Sequence, residues 1–334
     1  MPDNKSPYIL AAALVLSSGM ASADVRLHAE DRTLLQISDQ GLYPEGIEYD
    51  AERERFLLGS IRRGEVVAVQ ADGSTTRLVE DDRLRSVVGI RVDAARGRLL
   101  VTSSDYGVAE RSTPEDRFQT AALGIYDIET GRPLQFVNLS SLRPGEDKFV
   151  NDLAVDAEGN TYLTDSLAAA IYRVSPDGRA ELFLTHEDFR GPGFNLNGIA
   201  VHPEGYLLVV KKSEGALFRI PLDEPESFTR VTLSPPLPAP DGIVLADDTH
   251  LVVITNRAGE TVGNAIHLLR TDDGWSTASV VETRASTDTY ATTGVVANGR
   301  IVVSHGNLHT LGATLENGTP LDEGFRLQEI GLIE

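Results

Sequence analysis

A short phrase recurs six times along this chain of 334 residues, and this repeat constrains the fold more than any other feature. In each copy one residue precedes a pair such as Gly-Ile, a short apolar run follows, and a turn leads into a second β-branched run. The residue before that pair holds the same register in every copy, and we call this set the column. The column consists of Glu45, Val88, Asn151, Asn197, Asp241 and Thr293.

The repeat predicts an all-β fold. Successive column residues are 43, 63, 46, 44 and 52 positions apart, and most copies contain four short β-branched runs. Four-stranded units at intervals of about 40–50 residues are typical of a β-propeller, whereas a large sandwich would not repeat one phrase. We predict a six-bladed β-propeller with four-stranded antiparallel blades around a central channel, formed by residues 24–334 as a single domain. The runs at 32–37 and 325–330 should bring the two ends together and remove an exposed edge strand.

The first 23 residues have the pattern of a secretory signal peptide. An apolar run at 9–15 precedes the small-x-small sequence Ala21-Ser22-Ala23, which is typical of a cleavage site. The alternative is an uncleaved N-terminal helix. We expect cleavage before Asp24 and a periplasmic or secreted protein that is not inserted in a membrane, because no later stretch approaches the ~18 apolar residues of a span.

Composition narrows the possible partners. The formal net charge is -20, so the surface should repel nucleic acids and anionic membranes and attract cations. The chain has no cysteine, which excludes disulfides, zinc–thiolate sites and thiol catalysis. The expected partner is a small-molecule substrate, and the oligomeric state is left open.

The column carries the chemistry that the repeat predicts. The first strand of each propeller blade lines the channel, so the column side chains should converge. Four of them bear a carboxylate or amide oxygen, namely Glu45, Asn151, Asn197 and Asp241. Two carboxylates and two amides without His or Cys favour Ca²⁺ over Zn²⁺ or Mg²⁺. The alternative, that Asn and Asp beside Gly are turn formers, does not explain the glutamate in the first copy.

The loops that follow the second strand of each blade should rim the same face. They contain Asp165, Lys211 and His305, which we interpret as candidate substrate contacts, whereas Arg63 and Lys212 are interpreted as solvated surface charges. The loop at 103–121 is longer than its counterparts. A long loop at a functional face is a candidate lid.

These phrases resemble the SMP-30/gluconolactonase/LRE-like family, which is related to paraoxonases, squid-type diisopropylfluorophosphatase and plant calcium-dependent phosphotriesterase-superfamily proteins. The resemblance covers nearly the whole chain after residue 23 and is strongest at Pro44-Glu45-Gly46, Phe149-Val150-Asn151-Asp152, Leu196-Asn197-Gly198-Ile199 and Pro240-Asp241-Gly242-Ile243. It implies that the Glu, Asn, Asn and Asp of these phrases hold one calcium ion. The chain has Phe149 where regucalcin-like lactonases have an arginine for sugar recognition, and no match to the paraoxonase histidine pair is assigned.

Together these observations predict a calcium-dependent hydrolase for a small lactone or ester, with a phosphotriester as a further substrate class. Asp241 would be both a metal ligand and the base or nucleophile, Glu45 would anchor the ion, and His305 would shuttle a proton. Asn151 and Asn197 would supply neutral oxygens and orient the substrate. The alternatives are a non-catalytic propeller that calcium stabilises and that binds a small ligand or a protein, and an ion-free interaction hub.

Overall fold

The structure is a computed structural model that describes residues 24–286, 290–318 and 324–333, with the backbone alone for 28–31. The predicted signal peptide, residues 1–23, lies outside the described residues. Within them, no helix combines the length and the apolar character that crossing a membrane requires.

The described strands form six sheets arranged as the blades of a β-propeller, which confirms the predicted fold. Each blade has four antiparallel strands, and the fifth has an additional short strand at its outer edge that runs parallel to its neighbour. The first blade contains β2 (Pro44–Asp50), β3 (Arg55–Ser60), β4 (Glu65–Val69) and β5 (Thr75–Glu80), and the second contains β6 (Ser86–Asp93), β7 (Arg98–Ser104), β8 (Ala121–Asp127) and β9 (Pro133–Asn138). The third contains β10 (Val150–Val155), β11 (Thr161–Asp165), β12 (Ala170–Val174) and β13 (Ala180–Thr185), and the fourth contains β14 (Leu196–His202), β15 (Tyr206–Lys211), β16 (Ala216–Pro221) and β17 (Thr229–Arg230). The fifth contains β18 (Thr232–Ser234), β19 (Pro240–Leu245), β20 (His250–Ala258), β21 (Thr261–Arg270) and β22 (Thr277–Ala285), and the sixth contains β23 (Ala291–Ala297), β24 (Arg300–His305), β25 (Phe325–Ile333) and β1 (Val25–Ile37).

Helical structure in the described residues is confined to connections. Four short 3-10 turns cover Ala94–Arg96, Ser140–Leu142, Glu187–Phe189 and Pro225–Ser227, and one α-helix, α1, covers Leu308–Asn317 after β24. The helix places Leu308 and His309 at the mouth of the channel.

The two ends of the chain close the ring in the sixth blade, as the sequence predicts. Strand β1 pairs with β25 in antiparallel register, from Val25 opposite Ile333 to Ile37 opposite Phe325. The outer strand of the last blade therefore comes from the start of the described chain. Its hydrogen bonds to β25 close the ring of blades without a covalent link.

The apolar core lies between successive blades. Leu100, Leu123, Leu153 and Leu163 pack together across the boundary between the second and third blades, and each is fully buried. Similar clusters fill the other boundaries. Burial of aliphatic side chains on both faces of each sheet fixes the angle between blades and so sets the width of the channel.

Candidate active site

The first strand of every blade is bulged at the column. Its register with the second strand shifts between the residues that flank the column position, as between Val150 and Leu153 in the third blade and between Leu196 and Ile199 in the fourth. The same shift occurs in the other four blades. A bulge leaves one extra residue unpaired and re-aims its side chain, and this turns the column side chains toward the channel.

The glycine after the column residue permits the close approach of neighbouring first strands. A Cβ atom on Gly198 would lie 2.6 Å from the carbonyl oxygen of Asp241, and one on Gly46 would lie 2.5 Å from that of Val88. Both separations are far shorter than a carbon–oxygen contact allows. The Gly in the repeated phrase is therefore a requirement of packing around the axis.

Threonine hydroxyls tie the column backbone of one blade to the next. The Oγ1 atom of Thr102 donates to the carbonyl oxygen of Asn151 at 2.7 Å, and that of Thr164 donates to the carbonyl oxygen of Asn197 at 2.7 Å. Thr292 donates to the carbonyl oxygen of Glu45 at 2.8 Å across the closing boundary. These buried bonds fix the column positions relative to one another.

The column side chains meet in one cavity at the mouth of the channel. This channel cavity has a volume of about 330 Å³. Five of the six column residues line it: Glu45, Val88, Asn151, Asn197 and Asp241. The two carboxylates and two amides that the sequence predicts to converge therefore share one space, and the metal they are predicted to hold remains a prediction.

Asp241 is the most heavily bonded group in the channel cavity. Its Oδ1 atom accepts from Asn197 Nδ2 at 2.5 Å and from Lys212 Nζ at 2.8 Å. Its Oδ2 atom accepts from the amide of Asn256. The residue is 5% exposed, and both of its carboxylate oxygens accept hydrogen bonds from neighbouring side chains.

Glu45 differs from Asp241, because burial and neighbouring negative charges disfavour its ionised form. Burial raises the pKa of its carboxyl group well above the usual value, and the nearby charges of Asp241 and Asp152 raise it further. The ammonium of Lys212 acts in the opposite direction but does not compensate. A buried acid among other acids is stabilised by a cation.

A third buried acid, Asp152, lies beside the column, where the other five copies of the phrase have glycine. Burial raises its pKa, while the charge of Arg91 lowers it. Arg91 also forms an ion pair with Glu48 at 2.6 Å. Asp152 and Glu48 therefore share the positive charge of Arg91.

The donors of the channel cavity fit a hard cation. Asn151 donates its amide to Ser166 Oγ at 3.0 Å, while its buried Oδ1 atom has no hydrogen-bond partner among the described residues. This oxygen, the Glu45 carboxyl and the oxygens of Asn197 and Asp241 are the ligand types that Ca²⁺ prefers. In the described parts of the chain no three His, Cys, Asp or Glu side chains surround a common metal position, so a cation here would rely on the amides.

A larger outer cavity of about 580 Å³ lies beside the channel cavity. The two share Phe194, Lys212, Arg257, Gly259 and Tyr290 in their linings. Lys212 Nζ lies 5.8 Å from the centre of the Tyr290 ring. The shared boundary is thus aromatic and cationic, in a chain whose net charge is strongly negative.

Three residues interpreted from the sequence as substrate or catalytic groups are not brought to the channel cavity. Lys211 is buried and its Nζ atom donates to the carbonyl oxygens of Asp188 at 2.7 Å and Arg190 at 2.5 Å. Asp165 accepts the backbone N–H groups of Phe149, Leu167 and Ala168. His305 is fully buried, and its Nε2 atom lies 2.6 Å from Gln328 Oε1. Each of these side chains forms hydrogen bonds with the loops and strands behind the cavity.

The interpretation of Lys212 as a solvated surface charge is wrong. The residue is 7% exposed and its ammonium lies inside the channel cavity. Strand β15 ends at Lys211, and side chains alternate between faces at a strand end. Lys211 therefore points behind the cavity and its neighbour points into it.

The aromatic walls were also missed, although the repeat contains a signal for them. Phe194 and Tyr290 each stand three residues before a column residue, and Phe149 stands two before. All three line the channel cavity. Extending the repeat register upstream of each first strand would have identified these positions.

The 103–121 loop is fastened to its neighbours in this structure. Asp105 accepts the backbone N–H of Gly107 at 2.6 Å, Arg62 donates to the carbonyl oxygen of Val108, and Glu110 donates back to that of Arg62. The loop contributes Tyr106 to the wall of the channel cavity. Burial raises the pKa of that phenol, so its hydroxyl stays protonated.

Sequence comparisons identify no relative for this chain. No protein family matches it by its sequence profile. No curated protein matches it either.

Solved structures do match the chain, at low identity. The allergen Mala s 1 from Malassezia sympodialis has a TM-score of 0.65 and 16% identity, covering 90% of this chain and 94% of that one. A gluconolactonase from Xanthomonas campestris has a TM-score of 0.59 and 16% identity, covering 95% and 99%. Virginiamycin B lyase from Staphylococcus aureus has a TM-score of 0.56 and 12% identity, covering 93% and 100%. These similarities show the fold, which is a six-bladed β-propeller.

Proposed function

We propose that this chain is a hydrolase that acts on a small lactone or ester in the channel cavity and uses Ca²⁺ there. The observation that carries the proposal is the meeting of Glu45, Asn151, Asn197 and Asp241 around one cavity of about 330 Å³. A cation would give a partner to the Asn151 Oδ1 atom, which has none among the described residues, and it would stabilise the ionised form of Glu45, whose pKa is raised. The similarity in fold to a gluconolactonase supports the same class of reaction.

In this proposal Glu45 and Asn151 supply the oxygens that are open to the ion, and Asn197 and Asp241 complete the set. A bound divalent cation would polarise the carbonyl oxygen of the substrate. The two amides contribute no charge, so their role is to position the ion and the substrate relative to the carboxylates.

Asp241 is proposed as the carboxylate that activates the attacking water. Donors from Asn197 and Asn256 hold it in one orientation. A fixed, ionised carboxylate can accept a proton from water at the reaction centre. His305 has no part in this proposal, because it does not line the channel cavity.

The cavity walls indicate the substrate's character. Tyr106, Phe149 and Phe194 form one aromatic side of the cavity. The ring centroids of Tyr106 and Phe149 are 5.7 Å apart, and those of Phe149 and Phe194 are 4.9 Å apart. An aromatic wall favours an apolar substituent next to the carbonyl over a polyhydroxylated sugar. We therefore expect aryl or alkyl esters and lactones with apolar substituents to be preferred.

The proposal is tested by measuring turnover of a lactone, an aryl ester and a phosphotriester at defined Ca²⁺, with and without EDTA. Hydrolysis of the lactone or the ester that EDTA abolishes and Ca²⁺ restores is the expected result. Asp177→Asn, at an exposed turn, is a control that should retain turnover. The absence of turnover with every substrate at saturating Ca²⁺ would overturn the proposal.

A second candidate function is a non-catalytic propeller that calcium stabilises and that binds a small ligand. It is favoured by one observation: both oxygens of Asp241 are already hydrogen-bonded to neighbouring side chains, as in a structural network. It predicts that Ca²⁺ raises the melting temperature while no substrate is hydrolysed.

We also propose that the protein is exported, after removal of residues 1–23. Expression of the full chain in a bacterial host with an intact periplasm, followed by N-terminal sequencing, tests this. A mature protein that begins at Asp24 is expected, and an intact N-terminus in the cytoplasm would contradict the proposal.

A further inference from the structure

The channel cavity already contains a positive charge. Lys212 Nζ donates to Asp241 Oδ1 at 2.8 Å and to Asn256 Oδ1 at 2.6 Å. The side chain is 7% exposed and faces Tyr290, so its ammonium is held among protein groups. A buried ammonium is stable only where carboxylates and other acceptors surround it.

The Lys212 ammonium lies among the carboxylate and amide groups that are proposed to hold the metal ion. Glu45 and Asp241 bring two carboxyl groups to the cavity, and Lys212 forms an ion pair with Asp241 at 2.8 Å. Arg257 also lines the cavity, but the ion pair of Asp241 is with Lys212. Lys212 therefore lies at Asp241 where a divalent ion would be stabilised by the same carboxylate.

Both carboxylate oxygens of Asp241 already accept hydrogen bonds in this structure. The Oδ1 atom accepts both Lys212 and Asn197, and the Oδ2 atom accepts Asn256. A carboxylate oxygen has about two lone-pair directions. An ion that bound Oδ1 would therefore displace one of these donors, and an ion that bound the remaining direction of Oδ2 would lie close to the ammonium on the same carboxylate.

We propose that Lys212 is the resident cation of the channel cavity and competes with Ca²⁺ for Asp241. The proposal rests on the cation site of the proposed function and defines its regulation. The native site then binds Ca²⁺ weakly and reversibly, with Lys212 on Asp241 when the ion is absent and displaced from it when the ion is present. Removing the ammonium should strengthen Ca²⁺ binding by at least about tenfold, since like charges on one carboxylate repel even in a high dielectric.

The test is a calorimetric titration of Ca²⁺ alone into the wild type, Lys212→Met and Arg179→Met. Arg179 lies at an exposed turn and its loss removes one positive charge from the chain without touching the cavity. We expect Lys212→Met to bind at least about tenfold more tightly than the wild type, and Arg179→Met to match the wild type. Equal or weaker binding by Lys212→Met, or no binding by either protein, would overturn the proposal.

Two further measurements keep the test decisive if Lys212→Met folds poorly. Lys212→Gln should show a larger rise in melting temperature on addition of Ca²⁺ than the wild type does. A crystal structure of the wild type grown with Ca²⁺ should show Lys212 displaced from Asp241. An ammonium still bonded to Asp241 beside the ion would contradict the competition.

These readouts use no substrate, so they can fail while the hydrolase proposal stands, and the turnover panel can fail while they succeed.

Discussion

Asn197 donates its side-chain amide to the carboxylate of Asp241 at 2.5 Å, across the boundary between the fourth and fifth blades. The two residues hold the same register in successive copies of the repeat, 44 positions apart. Their backbones are also in contact range, because Gly198 lies against the carbonyl oxygen of Asp241. The site is thus built from equivalent positions of neighbouring blades, and a change at one position is felt at the next.

Replacing Asp241 with asparagine removes the charge that pairs with Lys212. We expect turnover to fall by at least about 100-fold, and the free energy of unfolding to fall by about 3 kcal/mol because a buried ammonium loses its partner. Steady-state kinetics and urea denaturation measure the two effects. Unaltered turnover in a folded Asp241→Asn protein would remove the residue from the chemistry.

Replacing Gly198 with alanine tests the close approach of the first strands. The added Cβ would lie 2.6 Å from the carbonyl oxygen of Asp241, so we expect a loss of about 1–3 kcal/mol in the free energy of unfolding. Gly312 in helix α1 is the matched control, because a Cβ there meets no atom within 4 Å. Gly312→Ala should stabilise the protein by about 0.5–1 kcal/mol. Chemical denaturation of both variants measures this difference, and equal stability would refute the packing argument.

Replacing Thr102 with valine removes the hydroxyl that bonds to the carbonyl oxygen of Asn151 at 2.7 Å. A buried carbonyl without its donor costs about 1–3 kcal/mol of stability. Thr229→Val, at an exposed position of β17, should change stability by less than about 0.5 kcal/mol. Urea denaturation compares the two, and a Thr102→Val protein as stable as the wild type would show that the interblade bond contributes nothing.

Replacing His305 with leucine separates a structural role from a catalytic one. Its Nε2 atom pairs with Gln328 in the interior of the sixth blade, so we expect stability to fall by about 1–3 kcal/mol. Turnover of the folded protein should stay within about threefold of the wild type. A large loss of turnover with unchanged melting temperature would restore the proton-shuttle hypothesis.

The double variant His305→Leu/Gln328→Leu is the control for that experiment. The double variant removes Gln328 Oε1 together with the imidazole nitrogen that pairs with it. Stability should therefore recover in part relative to His305→Leu alone.

The arrangement of the chain followed from local signals in the sequence. Six copies of one phrase specify six blades, because each copy contains its own strands and turns and cannot bury its apolar faces alone. The register of the phrase also located Glu45, Asn151, Asn197 and Asp241, since equivalent positions of a propeller face one axis. Even the pairing of the two ends was predictable, because a ring with an open edge would leave strand groups unpaired.

The direction of individual side chains at the ends of strands depends on the complete fold and could not be predicted from the repeat. Lys211 and Lys212 are adjacent and chemically identical, and the sequence gives no reason to prefer one. Because side chains alternate at the end of β15, the first points to the carbonyl oxygens of Asp188 and Arg190 and the second to Asp241. That alternation depends on the strand's exact register against its neighbours, which packing of the whole ring fixes.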